Sequence, residues 1–240
     1  LEEVSLYSGP LIYAAPGART IELELKKLSN AKTAALAWSL DGGEQVAQTI
    51  TLSPEVFQSF GLDIPELSPG VHKLSLRLGE TGYDETVVLV TGDFTGTPVA
   101  VDTRRCAVIA GPGMALTVQR RGANTFIWFP GRGGRPRRLA SFRLNAGPPV
   151  IWNSDLPGRA YILEPGEGSV SARTAWPSRP GLVHRVNVKL DPAGFAEASA
   201  VVENCSREVQ KVYFRAGCGW SEELENGTVL LPFRDGILAE

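Results

Sequence analysis

The segment FIWFPGRGGRPRRLASFR, Phe126 to Arg143, sets five arginines among glycines, prolines and aromatic rings. Arg132, Arg135, Arg137, Arg138 and Arg143 lie beside Phe126, Trp128, Phe129 and Phe142. Arginine interleaved with aromatic residues can grip nucleic acid, because guanidinium groups neutralise phosphates while bases stack on the rings. It suits a protein interface as well, since the planar fork pairs with carboxylates and the stem packs on apolar surface. A third reading is a plain basic hairpin. In it TFIWF is a buried strand, PGRGGRP its loop and RRLASFRL the return strand, with basic side chains that discourage unwanted edge pairing. No RRM, KH or OB signature accompanies the arginines, which weighs against nucleic acid.

Other residue types that carry chemistry are sparse. His72 and His184 sit in alternating segments, neither in an HExxH spacing, and no cysteine pair has CxxC spacing. Both read as satisfied strand histidines rather than zinc ligands. There is no GxSxG elbow, no P-loop and no GxGxxG opening a helix. Glu222, Glu223 and Glu225 in WSEELE come nearest to the paired acids of glycoside hydrolysis, but a solvated acidic turn accounts for them. LDGGE, Asp41 to Glu44, lacks calcium-loop spacing and reads as an Asp-Gly hairpin turn. Cys106, Cys205 and Cys218 are odd in number. The run CSREVQKVYFRAGC reads as a hairpin placing Cys205 and Cys218 on neighbouring strands, a candidate disulfide; the alternative is three reduced, buried thiols. Trp152 and Trp176 stand next to turns in VIWNSD and TAWPSRPG, a candidate glycan platform, whereas Trp38 belongs to a core. No residue is assigned to catalysis, to a cofactor or to a metal, and a non-enzymatic protein is expected.

The elements that must position these residues are strands. A Pro-Gly turn followed by alternating residues recurs in APGARTIELELKKL, SPGVHKLSLRL, GPGMALTVQRR, EPGEGSVSARTAW and RPGLVHRVNVKL. Proline presets φ and glycine accepts the positive φ of a type II turn. The period of two that follows describes a sheet with one face in a core and one in water. Helical signal is confined to SPEVFQSFGL, Ser53 to Leu62, where Ser53 and Pro54 could open one or two turns. Short strands at regular spacing predict an all-β fold of two β-sandwich domains. The boundary falls at Thr91 to Pro98, giving an immunoglobulin-like sandwich over 1–95 and a larger sandwich or jelly roll over 96–240 that carries the arginine-rich hairpin. One continuous domain is the alternative.

Charge changes sign at the same place. Residues 1–98 hold 6 basic and 13 acidic side chains, residues 99–240 hold 18 and 13, and the whole chain is −2. Such asymmetry describes either interaction surfaces of opposite sign or two surfaces that simply differ.

The stretch IELELKKLSNAKTAALAWSLDGGEQVAQTITL with LSPGVHKLSLRL resembles the immunoglobulin-like modules common in bacterial surface and secreted proteins. The resemblance is architectural and covers the first part only; with no cysteine before Cys106, the Cys…Trp…Cys spacing of antibody domains is missing. It implies a fold and an extracellular or cell-surface setting rather than an activity. No apolar run reaches the length of a membrane span, and the start at Leu1 is read as a processed end. The expected function is a structural or adhesion subunit that self-associates into a surface layer, filament or virion-like assembly. Its basic second part would dock on the acidic first part of the next copy, or LEEVSLYSGPLIY would add a strand to it. Expected partners are other copies, other surface proteins or glycans, with no nucleic acid and no membrane insertion. The alternative is a carbohydrate-binding module built on Trp152 and Trp176.

Overall fold

The structure, a computed structural model, describes residues 4–79, 82–131, 134–147, 160–176 and 181–220. Among these the chain is all-β, with eighteen strands in four sheets. A three-stranded sheet has the order β1 (Val4–Leu6), β3 (Thr20–Lys27), β6 (Phe57–Asp63). A five-stranded sheet runs β2 (Leu11–Ala14), β8 (Tyr83–Thr91), β7 (Val71–Leu78), β4 (Thr33–Leu40), β5 (Val46–Thr51). The six-stranded sheet is β18 (Tyr213–Trp220), β13 (Pro136–Gly147), β12 (Thr125–Pro130), β11 (Met114–Gln119), β10 (Cys106–Gly111), β9 (Val99–Asp102). The fourth contains β14 (Ile162–Gly166), β15 (Ser169–Ala175), β16 (Leu182–Leu190) and β17 (Ala196–Asn204). Pairing is antiparallel except between β2 and β8.

The sheets stack in four layers, and the side-chain alternation of single strands shows how. Val87 and Leu89 of β8 enter a core with Leu23 of β3 and Leu36 of β4, between the three- and five-stranded sheets. Val88 and Val90, pointing the other way, meet Leu11, Tyr13, Cys106, Val108, Ala110 and Ala115. Ala107 and Ile109 of β10 face a third core with Leu116, Val170, Val186 and Leu190. Val87 to Val90 of β8 and the whole of β10 are therefore covered on both faces. That is why ETVVLV and CAVIAG read as continuous apolar runs while TIELELKK, against solvent on one side, alternates.

Turn chemistry follows the sequence at most positions. Gly17 and Gly113 take φ of +69° and +70° after their prolines. In EPGEG, however, Pro165 and Gly166 lie inside β14, paired with Val170 and Ser169, and the turn falls at Glu167-Gly168. The helix expected over Ser53 to Leu62 is absent. Its capping groups close a local turn instead, with Glu55 N donating to Ser53 Oγ (3.3 Å) and Ser53 N to Gln58 Oε1 (2.6 Å). Phe57 onward then pairs with β3 from Lys26 to Thr20. Tertiary pairing overrides a weak local preference there.

Asp41-Gly42 turns the chain at the end of β4, with φ of +50° and +73°, but the connection to β5 runs on to Gln45 and is longer than the tight Asp-Gly turn expected. The Asp41 carboxylate takes Lys73 N on Oδ1 (2.7 Å) and His72 Nδ1 on Oδ2 (2.7 Å), while His72 Nε2 reaches Ser68 O (2.8 Å). Two acceptors on one ring call for two N–H groups, the imidazolium form. Desolvation lowers the His72 pKa, but the hydrogen bonds to Asp41 and Ser68 and the Asp41 charge outweigh it, so the net shift is upward. A raised folded value means stability that is full below the unfolded pKa, about 6.5, and lost as pH rises through the folded one. Asp41 is half exposed, so the loss should stay below about 1 kcal/mol. Urea midpoints measured from pH 5.5 to 8.5 should fall across that window in the native chain and flatten in Asp41→Asn, which tolerates the left-handed turn.

Candidate functional site: the arginine hairpin and the cavity beneath it

The arginine stretch folds as a hairpin. β12 and β13 pair from Thr125–Phe142 to Pro130–Pro136, with a bulge opposite Ile127 and Trp128. Gly131 N donates to Arg135 O across the loop (3.0 Å). Arg132 lies outside the described residues; the other four arginines are exposed. Arg135 Nη2 pairs with Glu24 Oε1 of β3 at 2.8 Å. Arg138 lies over the Phe126 ring, 5.7 Å from its centroid, and Arg143 Nε donates to Asn124 Oδ1. From Arg137 to Arg143 they are strung along roughly 20 Å of strand at about 3.3 Å per residue. They do not converge on one patch.

The acidic partner of the basic half lies, in part, in the same chain. Besides Arg135 and Glu24, the β9–β10 turn brings Arg105 Nε to 3.3 Å and Arg104 Nη1 to 4.0 Å from Glu85 Oε1 on β8. Arg105 Nη2 also donates to Leu6 O (3.2 Å). Burial raises the Glu85 pKa, and the neighbouring charges of Arg105 and Arg104 pull it partly back. These pairs orient the junction, but its strength comes from the apolar core between the two sheets. Each buried Val or Leu contributes about 1.5–3 kcal/mol, against about 0–1 for an exposed ion pair. Tyr13 OH donates to Trp128 O (3.1 Å), and Trp128 Nε1 to Thr117 Oγ1 (2.9 Å). Burial pushes the Tyr13 phenol up, so it remains a neutral donor.

Under the hairpin loop is a cavity of about 700 Å³, lined by Leu11, Ile12, Tyr13 and Ile21 on one side and Trp128 and Pro136 on the other. Glu22, Glu24 and Arg135 also border it. The sequence reading did not find this cavity, nor the roles of Tyr13, Glu24, Glu85, Arg104 and Arg105. The signal available was the pair of non-alternating runs ETVVLV and CAVIAG, which mark strands covered on both faces and hence a junction.

The remaining candidates fall elsewhere. Cys205 and Cys218 are exposed free thiols, and the disulfide expected between them is not formed. The hairpin that would have brought them together does not exist, because β17 and β18 belong to different sheets. Cys106 is buried beside Thr103, and burial pushes its thiol up to about 11, which keeps it protonated and inert. Trp176 is 3% exposed and packs with Leu182, so it cannot be a sugar platform. Trp152 and the acids Glu222, Glu223 and Glu225 lie outside the described residues. His184 is fully buried, its Nδ1 2.8 Å from Tyr161 OH. Among the described residues no three His, Cys, Asp or Glu side chains gather as a metal site. Compared with known proteins, the chain matches no family model and no curated sequence, so a functional reading rests on its own geometry.

Proposed function

We propose that the chain is a non-enzymatic structural subunit, working at the cell surface or outside the cell, whose copies associate edge to edge through β18. The observation that carries this reading is an overhang. β9 lies against β14 and β13 against β17, so β18, one strand further out, extends past the smaller sheet. Among the described residues it ends its sheet, and Phe214, Ala216, Gly217, Cys218 and Gly219 are all exposed. Natural edge strands are blunted by prolines, lysines or bulges, whereas YFRAGCGW carries one charge, Arg215, and no proline. Two such edges pair by main-chain hydrogen bonds, and Phe214, 57% exposed, adds apolar area.

This moves the association away from the arginines, two of whose counterparts, Glu24 and Glu85, are already paired within the chain. The strand order supports treating the first two sheets as an immunoglobulin-like module. The β1-β3-β6 sheet faces a β2-β8-β7-β4-β5 sheet, with the N-terminal segment switching between them. On this reading residues 1–95 and 96–240 are two sandwiches joined by a common apolar layer.

Light scattering behind size exclusion, over a concentration series in low and high salt, tests the association. Oligomers that persist in high salt and dissociate at least tenfold more readily in Ala216→Lys are expected, because a charge on the edge opposes pairing. Mild oxidation should trap a Cys218 cross-link between copies that Cys218→Ser lacks. A chain that stays monomeric at every concentration and salt would sink the proposal.

A further inference from the structure

We infer that the cavity beneath the arginine hairpin is a binding site for a small, largely apolar acid that carries an amide-like group, an acylated amino acid being the simplest example. The cavity exists because of a strand crossover. β1 pairs with β3 only at Leu25, Lys26 and Lys27, after which the chain crosses at Ser8, Gly9 and Pro10 to become β2 in the other sheet. Thr20 to Glu24 thus have β6 on one side and no strand on the other among the described residues. Gly131, Gly134 and Arg135 of the hairpin loop border this gap without filling it.

Three features of the gap specify a ligand. Its walls are apolar, because the Tyr13 hydroxyl and the Trp128 N–H are already engaged with Trp128 O and Thr117. Its volume, about 700 Å³, is that of a small-molecule site. Besides Gln119, which also lines it, two polar positions specify the ligand. Glu24 N and O bond toward Ser8 and Tyr7, so the alternation of an antiparallel ladder turns the Glu22 N–H and C=O the same way, into the gap. They can hydrogen-bond an amide there. At the mouth, Arg135 holds Glu24 through one Nη and is 69% exposed, leaving donors of its fork for an oxyanion. Glu22, exposed at the same mouth, opposes that anion.

N-dansyl-leucine is a suitable probe, with a ring system, a sulfonamide and a carboxylate, and dansylamide is the control that lacks the carboxylate. Titration followed by dansyl emission should give one site per chain. Arg135→Gln should weaken N-dansyl-leucine about tenfold and leave dansylamide unchanged. Glu22→Gln should tighten the acid about threefold, a gain that non-specific apolar adsorption would not show. Glu22→Gln leaves the melting temperature in place, Arg135→Gln gives up one exposed pair and should lower it by no more than about 3 °C, and Ile12→Trp, filling the cavity, should abolish binding of either probe. Dissociation weaker than about 1 mM, or affinity indifferent to both charge substitutions, would overturn the site. Neither result bears on association through β18, which pairs with β13 from Ala140 onward, beyond Pro136 at the cavity.

Discussion

Replacing Val108 with aspartate is expected to leave the chain unfolded, whereas Val108→Ala should cost about 2 kcal/mol and leave a single unfolding transition. Val108 is fully buried in β10, on the face that meets Leu11, Val88 and Val90 of the five-stranded sheet. A carboxylate placed there would face the apolar side chains of Leu11, Val88 and Val90, and burying it costs several kcal/mol even after relaxation. Domains of ordinary stability, about 5–15 kcal/mol, do not survive such a loss together with the missing apolar contacts. The alanine variant is the more informative of the two. The layer Val108 occupies is shared by strands before and after residues 92–98, although no strand pair crosses that segment among the described residues. Loosening it should weaken both pairs of sheets together. Urea unfolding followed by tryptophan emission and by far-ultraviolet circular dichroism should therefore coincide. Two separated transitions, with only one shifted by the alanine, would show that the layer couples the sheets weakly.

Gly134→Val should destabilise the chain by about 2 kcal/mol and detach the arginine loop from β2. Gly134 has φ of +78°, a region costly for a branched side chain. Its backbone also passes so close to β2 that an added Cβ would collide with Tyr13 O. The obstructing atom is a carbonyl in a strand, so no rotamer change relieves the clash. The loop must move, and with it Arg135 leaves Glu24. The cost is capped by the energy of undocking the loop, which is why it falls short of the Val108→Asp effect. Trp128 emission should shift to the red as its contacts with the β2 edge open. An unchanged spectrum and melting temperature would mean that the loop is not seated on β2.

These two positions recast the arginine stretch. The hairpin is basic, yet its loop lies against β2 at Gly134 and pairs with Glu24 of β3 through Arg135. The charge asymmetry between the halves serves the same junction, through Glu85 with Arg104 and Arg105. The sequence reading set these opposite charges between copies; Glu24 and Glu85 meet their arginines within one chain.

The sequence by itself determined the strands, most turns and the fold class. Period-two alternation in Ile21, Leu23 and Leu25, or in Val186, Val188 and Leu190, depends only on neighbouring residues, and the left-handed φ of Gly17 or Gly113 is local as well. Such features survive in one dimension because a pleated strand exposes its two faces alternately wherever it lies. The Ser53 helix failed for the complementary reason: its local capping signal was genuine, but β3 offered Phe57 to Asp63 a full ladder. Only the tertiary structure decided which sheets meet, and there the separations run from 20 to 115 residues. Tyr13 finds Trp128, Glu24 finds Arg135, and Glu85 finds Arg105, while Cys205 and Cys218, close in sequence, part into different sheets. Pairings of that kind are selected by shape and burial over whole layers, a sum to which no single residue type carries a readable label.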